Sequence, residues 1–379
     1  MRTLLTLLLI VHGSIHLLGF LKAWHLAALP QLSGRTLIPL AEPMARAIGV
    51  LWLVTGAILV GAAALRLAGL TGWWMAAAAG VVLSQLLLVL QWHDAWPGTL
   101  VNVILLVAVL VGAASVRFHR QVDEEVRTLF SPAPAAAAVV QPADLAPLPP
   151  PVRRWLTVSG VVGKERVHSV RLKQRGLMRT SPTQGFMPAR AEQYFRIDEP
   201  GFVWRVRVTL LGFIPVLGRD KYAQGKGNML IKAGALLSVV DATGDKIDQG
   251  TLLRYLGEMV WFPSAVLSPY LTWEPLSADS ARATMSYRGV TASAVFSFDR
   301  QGRFASLSAE RYLGAGADAA LHQWFIPATE WKVFHGVEVP SKGDVIWKLN
   351  DGDYDYYRWE ITDIEYNRPA LYEQKESPL

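Results

Sequence analysis

Arg254 and Glu258 stand four apart within Asp248-Gln-Gly-Thr-Leu-Leu-Arg-Tyr-Leu-Gly-Glu-Met-Val-Trp-Phe-Pro263, so on a helix they share one face. A glutamate there is pulled two ways, because burial raises its pKa and the neighbouring arginine lowers it. With Asp241 or Tyr222 assisting, the two can act as an acid/base pair on a small apolar substrate. The simpler reading is a structural ion pair that locks the helix to its support. Tyr255, Trp261 and Phe262 in the same stretch, and Trp347 further on, join Tyr222, Arg254 and Glu258 as candidate ligand contacts. Tyr270, Trp273, Trp324, Phe325 and Trp331 add to an aromatic density suited to a pocket for an acyl chain or another greasy ligand.

His12 and His16 are also four apart, on one face of the first apolar run. Inside a membrane such a pair can ligate a metal or haem, or relay protons. The alternative is interhelical hydrogen bonding to Ser84, Gln85 or Asn102, in a bundle that packs through Gly13 and Gly19. Two histidines without further ligands rarely form a metal site, so no metal and no cofactor is expected. Residues 218–229, Gly-Arg-Asp-Lys-Tyr-Ala-Gln-Gly-Lys-Gly-Asn-Met, look like a phosphate loop but have neither the spacing nor the following helix. Gly225 and Gly227 alternate, as strand glycines do where another element approaches closely. His168, His322 and His335 lie in no recognisable triad context. The absence of cysteine excludes disulfides, thiolate metal sites and cysteine nucleophiles.

The elements that position these residues follow from hydrophobic periodicity. Leu252, Leu253, Leu256, Met259 and Val260 form an apolar stripe, which predicts a helix over 248–262 with Asp248 as N-cap and Pro263 as stop. Around it the pattern has period two, as in Phe202-Val-Trp-Arg-Val-Arg-Val208 and Ala292-Ser-Ala-Val-Phe-Ser-Phe298. Roughly ten strands with no βαβ rhythm predict a curved antiparallel half-barrel over 152–379, with the helix on its concave face.

The 379 residues are 51% hydrophobic and have a mean hydropathy of +0.25, which calls for membrane segments. Four apolar runs, 3–21, 47–66, 73–92 and 99–116, are each about 20 residues long and predict a four-helix transmembrane domain over 1–117. Residues 118–130 are charged and extend the fourth helix or lie on the membrane surface. The Pro/Ala-rich segment 131–151 reads as a linker, so 118–151 separates the two domains. A net charge of +6 with no basic block excludes a phosphate-tracking surface, and nucleic acid is not expected as a partner. Arg2, Arg66, Arg117, Arg120 and Arg127 on one side outnumber Lys22, Arg35 and Arg46 on the other. That excess places the N-terminus and the β domain in the cytoplasm.

On the segments 218–229, 241–248, 254–263 and 347–367, the chain resembles a family of bacterial four-helix membrane proteins of uncharacterised function. Its β domain looks like the LolA-like lipoprotein-carrier superfamily, a curved antiparallel half-barrel closed by a helix. That superfamily includes lipoprotein and lipid carriers, a stress sensor and a small-molecule enzyme. The resemblance therefore implies a hydrophobic cavity more than a reaction. It favours a membrane-anchored binding or sensing protein for a lipid or other hydrophobic ligand, with the bilayer as its other partner. It also implies work outside the cytoplasm, against the charge count.

Overall fold

The computed structural model describes residues 2–133, 136–212, 214–316 and 318–373. The chain divides into two compact units, with the boundary between Arg120 and Gln121. The first holds α1 (Arg2–Ala23), α2 (Glu42–Leu67), α3 (Trp73–Leu90), the single turn α4 (Trp92–Ala95) and most of α5 (Pro97–Phe130). All but α4 are long and apolar enough to cross a membrane. Leu4, Leu7 and Val11 on α1, Leu86 on α3 and Ile104 on α5 face outward, whereas His12, His16, Thr55, Ser84 and Asn102 are buried. This is the distribution expected of a bundle whose solvent is lipid. A Cβ on Gly13 would lie 2.9 Å from the Gly56 carbonyl oxygen, so glycine allows α1 and α2 to cross closely. Gly19 leaves room in the same way for the Trp52 ring, 2.5 Å from where a Cβ would stand.

The second unit begins inside α5 and runs to Tyr372. Residues 118–130 continue the α5 helix. The segment that follows is not a free linker. Val140 accepts from the Gly163 amide and donates to the Lys164 carbonyl, and Val139 bridges to Glu165. Val140, Leu145 and Val152 are buried in the core of the unit. Prolines make this stretch extended or 3₁₀, as at Pro142–Leu145, but its few apolar residues still have a core to enter. The short helix α6 (Pro150–Val158) buries Leu156 and Trp155, and the Trp155 ring packs against Phe296, Phe298 and Phe304.

Among the described residues thirteen strands then form one antiparallel sheet, more than the period-two runs suggest. They are β1 (Ser169–Met178), β2 (Met187–Arg196), β3 (Gly201–Leu210), β4 (Ile214–Ala223), β5 (Lys226–Ala233) and β6 (Leu237–Ala242), followed after a helix by seven more. These are β7 (Leu271–Pro275), β8 (Ser280–Tyr287), β9 (Val290–Phe298), β10 (Phe304–Leu313), β11 (Ala320–Phe334), β12 (Val337–Leu349) and β13 (Gly352–Tyr366). The order is β6-β5-β4-β3-β2-β1-β13-β12-β11-β10-β9-β8-β7, two meanders joined in the middle by β1 and β13.

The chain leaves the sheet at one edge, β6, and re-enters at the other, β7. The connection is α7 (Asp245–Glu258), extended by a 3₁₀ turn at Met259–Trp261. Helix α7 touches β4 and β5 on one arm and β8, β9 and β10 on the other. A sheet whose two arms reach one helix is curled, and the result is a half-barrel closed by that helix. The helix starts three residues earlier than the stripe predicts, and Asp248 is not its N-cap. Gly244 holds that place, and the buried Asp248 carboxylate instead accepts from the Gly227 amide and from Lys226 Nζ, both at 2.7 Å.

Candidate functional site

The concave face and α7 enclose a cavity of about 290 Å³. Trp204 (β3), Trp261, Trp324 (β11), Trp347 (β12), Tyr357 and Trp359 (β13) supply most of its apolar wall. A bulge helps build it. Val345 pairs with Tyr357 and Ile346 with Asp355, which leaves Tyr356 as an extra residue in β13. The bulge brings Tyr354, Tyr356, Tyr357 and Trp359 all onto the cavity, where strict alternation would have turned one pair away. Two glycines make space for these rings. A Cβ on Gly176 would meet the Tyr357 ring at 2.6 Å, and one on Gly343 would meet Trp359 at 2.4 Å.

Across this apolar wall runs a line of polar groups. Arg254 Nε donates to Glu258 Oε1 and its Nη1 donates to Asp220 Oδ2, each at 2.7 Å. The other Glu258 oxygen accepts from Gln193 Nε2 at 2.6 Å. Trp204 Nε1 donates to Gln174 Oε1 at 3.2 Å beside them. The Arg254 guanidinium also lies over the Trp204 ring, 4.5 Å from its centroid. Burial raises the Glu258 pKa, with Arg254 and Gln193 opposing. Burial works against the charge of Arg254 as well, but Glu258 and Asp220 outweigh it and its pKa is raised. Both Glu258 oxygens are thus engaged in holding α7 to β2 and, through Arg254, to β4.

Of the residues singled out in the sequence, Arg254, Glu258, Trp261 and Trp347 line the cavity. Tyr222, Tyr255 and Phe262 do not. They are packed in the aromatic core, where Tyr255 donates to the Arg196 carbonyl and packs edge-on against Phe195 and Phe262. Asp241 is exposed on the edge strand β6, where it accepts from Asn228. Its place beside Arg254 is taken by Asp220. The 218–229 segment is a hairpin of β4 and β5, turning at Gln224 (φ 53°) and Gly225 (φ 80°). Gly225 therefore serves the turn. Gly227 alone serves as clearance for the helix, since a Cβ there would lie 2.3 Å from Thr251 Oγ1 and 2.8 Å from the Ile247 carbonyl oxygen.

Sequence reasoning missed Asp220, Gln193 and Arg311. The signal for Arg311 was present. In β10, Leu307, Ala309, Arg311 and Leu313 alternate onto one face, and a charge in the apolar phase of a strand is out of place.

In the helical unit, His12 Nε2 hydrogen-bonds Asn102 Oδ1 and His16 Nε2 hydrogen-bonds Ser84 Oγ, both at 2.9 Å. Asn102 donates in turn to Ser84 and Gln85. The two imidazoles border a cavity of about 300 Å³ with Trp52 and Asp94. Among the described residues, no group of three or more histidines and carboxylates is placed to hold a metal ion.

Fold and cavity define a class: a helical membrane-type unit followed by an antiparallel half-barrel that encloses a ligand-sized space under one helix. Residues 138–359, more than half of the chain, match the family of unknown function DUF6544, and the chain belongs to that family. No curated protein matches the sequence. Among solved structures it is similar to the LolA superfamily protein NE2245 from Nitrosomonas europaea. The identity is 9%, the TM-score 0.33, and the match covers 61% of this chain and 95% of that one. It is also similar to a domain assigned to outer membrane lipoprotein sorting from Vibrio parahaemolyticus, at 7% identity and a TM-score of 0.30, over 52% of this chain and 85% of the other.

Proposed function

We propose that this is a membrane-anchored protein that holds a hydrophobic ligand between the sheet and α7. The observation that carries the reading is the cavity itself, about 290 Å³ walled by tryptophan and tyrosine. Small-molecule sites run from roughly 300 to 1,000 Å³ and are mostly apolar with a few placed polar groups. The size favours a single-chain ligand. Engagement of both Glu258 oxygens speaks for binding rather than for a free catalytic base. The outward-facing leucines and valines of the helical unit support anchoring in a bilayer. The arginine and lysine excess described above supports a cytoplasmic half-barrel.

The full-length protein, purified in a neutral detergent, is expected to carry one class of apolar molecule detectable by solvent extraction and mass spectrometry. Ile326→Trp, which fills the cavity from β11, is expected to lose it while retaining bulk bilayer lipid. A wild-type protein with no more ligand than this variant, and with no affinity for a fluorescent acyl probe, overturns the reading. A C-terminal alkaline phosphatase fusion reads the side, and activity there would move the half-barrel to the outer face.

A further inference from the structure

The cavity holds more positive than negative charge. Lys246, Arg254 and Arg311 line it against Asp220 and Glu258. Arg254 is paired with both carboxylates. Lys246 donates to the Gly316 and Ala319 carbonyls. Arg311 has neither a carboxylate nor a hydrogen-bond partner among the described residues, and its Nε is buried and unsatisfied. Its guanidinium lies over the Trp324 ring, 4.6 Å from the centroid, with Nε 3.5 Å from where a Cβ on Gly250 of α7 would stand. Its side chain borders the cavity. Two more buried atoms of the lining lack partners, the indole nitrogens of Trp261 and Trp324. All three orphans are donors, and none is an acceptor.

A buried cation without a partner is costly, and proteins leave one where something else supplies the charge. We propose that the ligand is a single-chain amphiphile with an anionic head, a carboxylate or a phosphate, and that Arg311 receives that head while the chain lies among the tryptophans. The inference rests on the hydrophobic-ligand reading above and adds the charge of the head group. Burial and the like charge of Arg254 bring the Arg311 pKa down to about 10, so the side chain remains a cation at neutral pH. Tyr356, which also lines the cavity and feels the charges of Asp220, Arg254 and Arg311, adds a hydroxyl to this polar group. A guanidinium suits this task because its planar fork matches carboxylate and phosphate oxygens.

The test uses the full-length protein in neutral-detergent micelles, titrated with cis-parinaric acid, its methyl ester and dodecyl phosphate. The acid is expected to bind at least tenfold more tightly than its ester. Arg311→Gln is expected to remove that difference while leaving ester binding unchanged, and Arg311→Lys is expected to restore part of it. Displacement of the acid by dodecyl phosphate, against displacement by dodecanoate, tells a phosphate head from a carboxylate head.

Thermal unfolding without ligand separates this role from a structural one. Removing an unpaired buried cation should leave the ligand-free Arg311→Gln protein as stable as wild type or more so, whereas removing a structural arginine should lower its stability. Equal affinity for acid and ester, or equal loss of both in Arg311→Gln, overturns the anionic head but leaves the hydrophobic site standing. Failure of all three probes to bind the wild type removes the hydrophobic site itself.

Discussion

Glu258 and Arg254 show what a charged pair does in this interior. Arg254 is, among the described residues, the single cation bonded to both Asp220 and Glu258. Replacing it with methionine leaves two buried carboxylates facing each other, a change that costs about 3–5 kcal/mol. Glu258→Gln is milder, about 1 kcal/mol, because Arg254 keeps Asp220 and the amide keeps an acceptor. The two also differ in pH dependence. The folded-state pKa of Glu258 lies above its ordinary value of 4.5, through burial against the pull of Arg254. Its contribution to stability is therefore fully present below pH 4.5 and is lost as pH rises through the raised value. The deficit of Glu258→Gln relative to wild type should shrink as pH climbs above 4.5, read from paired thermal melts in which the other carboxylates cancel. A deficit independent of pH would refute the raised value. The i, i+4 spacing of Arg254 and Glu258 was visible in the sequence because it is local. Asp220 was not, since its position opposite Arg254 depends on how β4 curls over α7. Arg311 was legible only as a misplaced charge in an apolar phase, and its isolation depends on every strand around it.

Element-scale features were read in proportion to how local they are. The stripe Leu252, Leu253, Leu256, Met259 and Val260 is buried as its spacing predicts. The first turn of α7 carries Asp245, Lys246 and Asp248 and has no such stripe, so its start lay outside what periodicity detects. Strand existence followed from alternation, but β6 and β7 are short edge strands, of six and five residues, with little pattern to detect. The bulge at Tyr356 has no sequence signature and yet decides which aromatics line the cavity. At Gly227 the sheet comes close to the helix, and this gives the sharpest element-level test. Gly227→Ala would put a methyl 2.3 Å from Thr251 Oγ1 and 2.8 Å from the Ile247 carbonyl oxygen. The backbone contact cannot rotate away, so α7 must lift from β5. Overpacking of this kind costs about 1–3 kcal/mol, and here it should also weaken ligand binding, because α7 is one wall of the cavity. Gly225→Ala meets Arg288 Cβ at 2.8 Å and strains the turn, and it should lower stability without changing affinity. Equal effects of the two variants on affinity would break the link between helix seating and the site.

At the scale of the molecule, composition identified an apolar helical part and a β part, but it placed their boundary by the proline-rich segment. The contacts place it earlier, inside α5, for an electrostatic reason. Asp123 Oδ1 lies 2.6 Å from Arg205 Nη1, and Glu125 Oε2 lies 3.1 Å from Arg219 Nε, an ion pair rather than an aligned hydrogen bond. Arg205 and Arg219 are both buried on the convex side of the sheet. Arg205 keeps Glu192 as a second partner, whereas Glu125 is the only carboxylate paired with Arg219 among the described residues. Alanine- and proline-rich sequence gives no hint of this, because the partners come from the charged turns before it. A fragment beginning at residue 121 should therefore fold and bind ligand, since it keeps both acids together with Val140 and Leu145. A fragment beginning at 146, the cut that the proline-rich segment invites, loses all four. Stranding a buried arginine costs about 3–5 kcal/mol, a large share of the 5–15 kcal/mol that holds a domain together. The shorter fragment should be aggregated or molten by near-ultraviolet circular dichroism. Restoring residues 136–145 without the acids should recover only part of the loss. If the 146–379 fragment melts at the same temperature as 121–379, the end of α5 is a tether rather than a part of the β unit's fold.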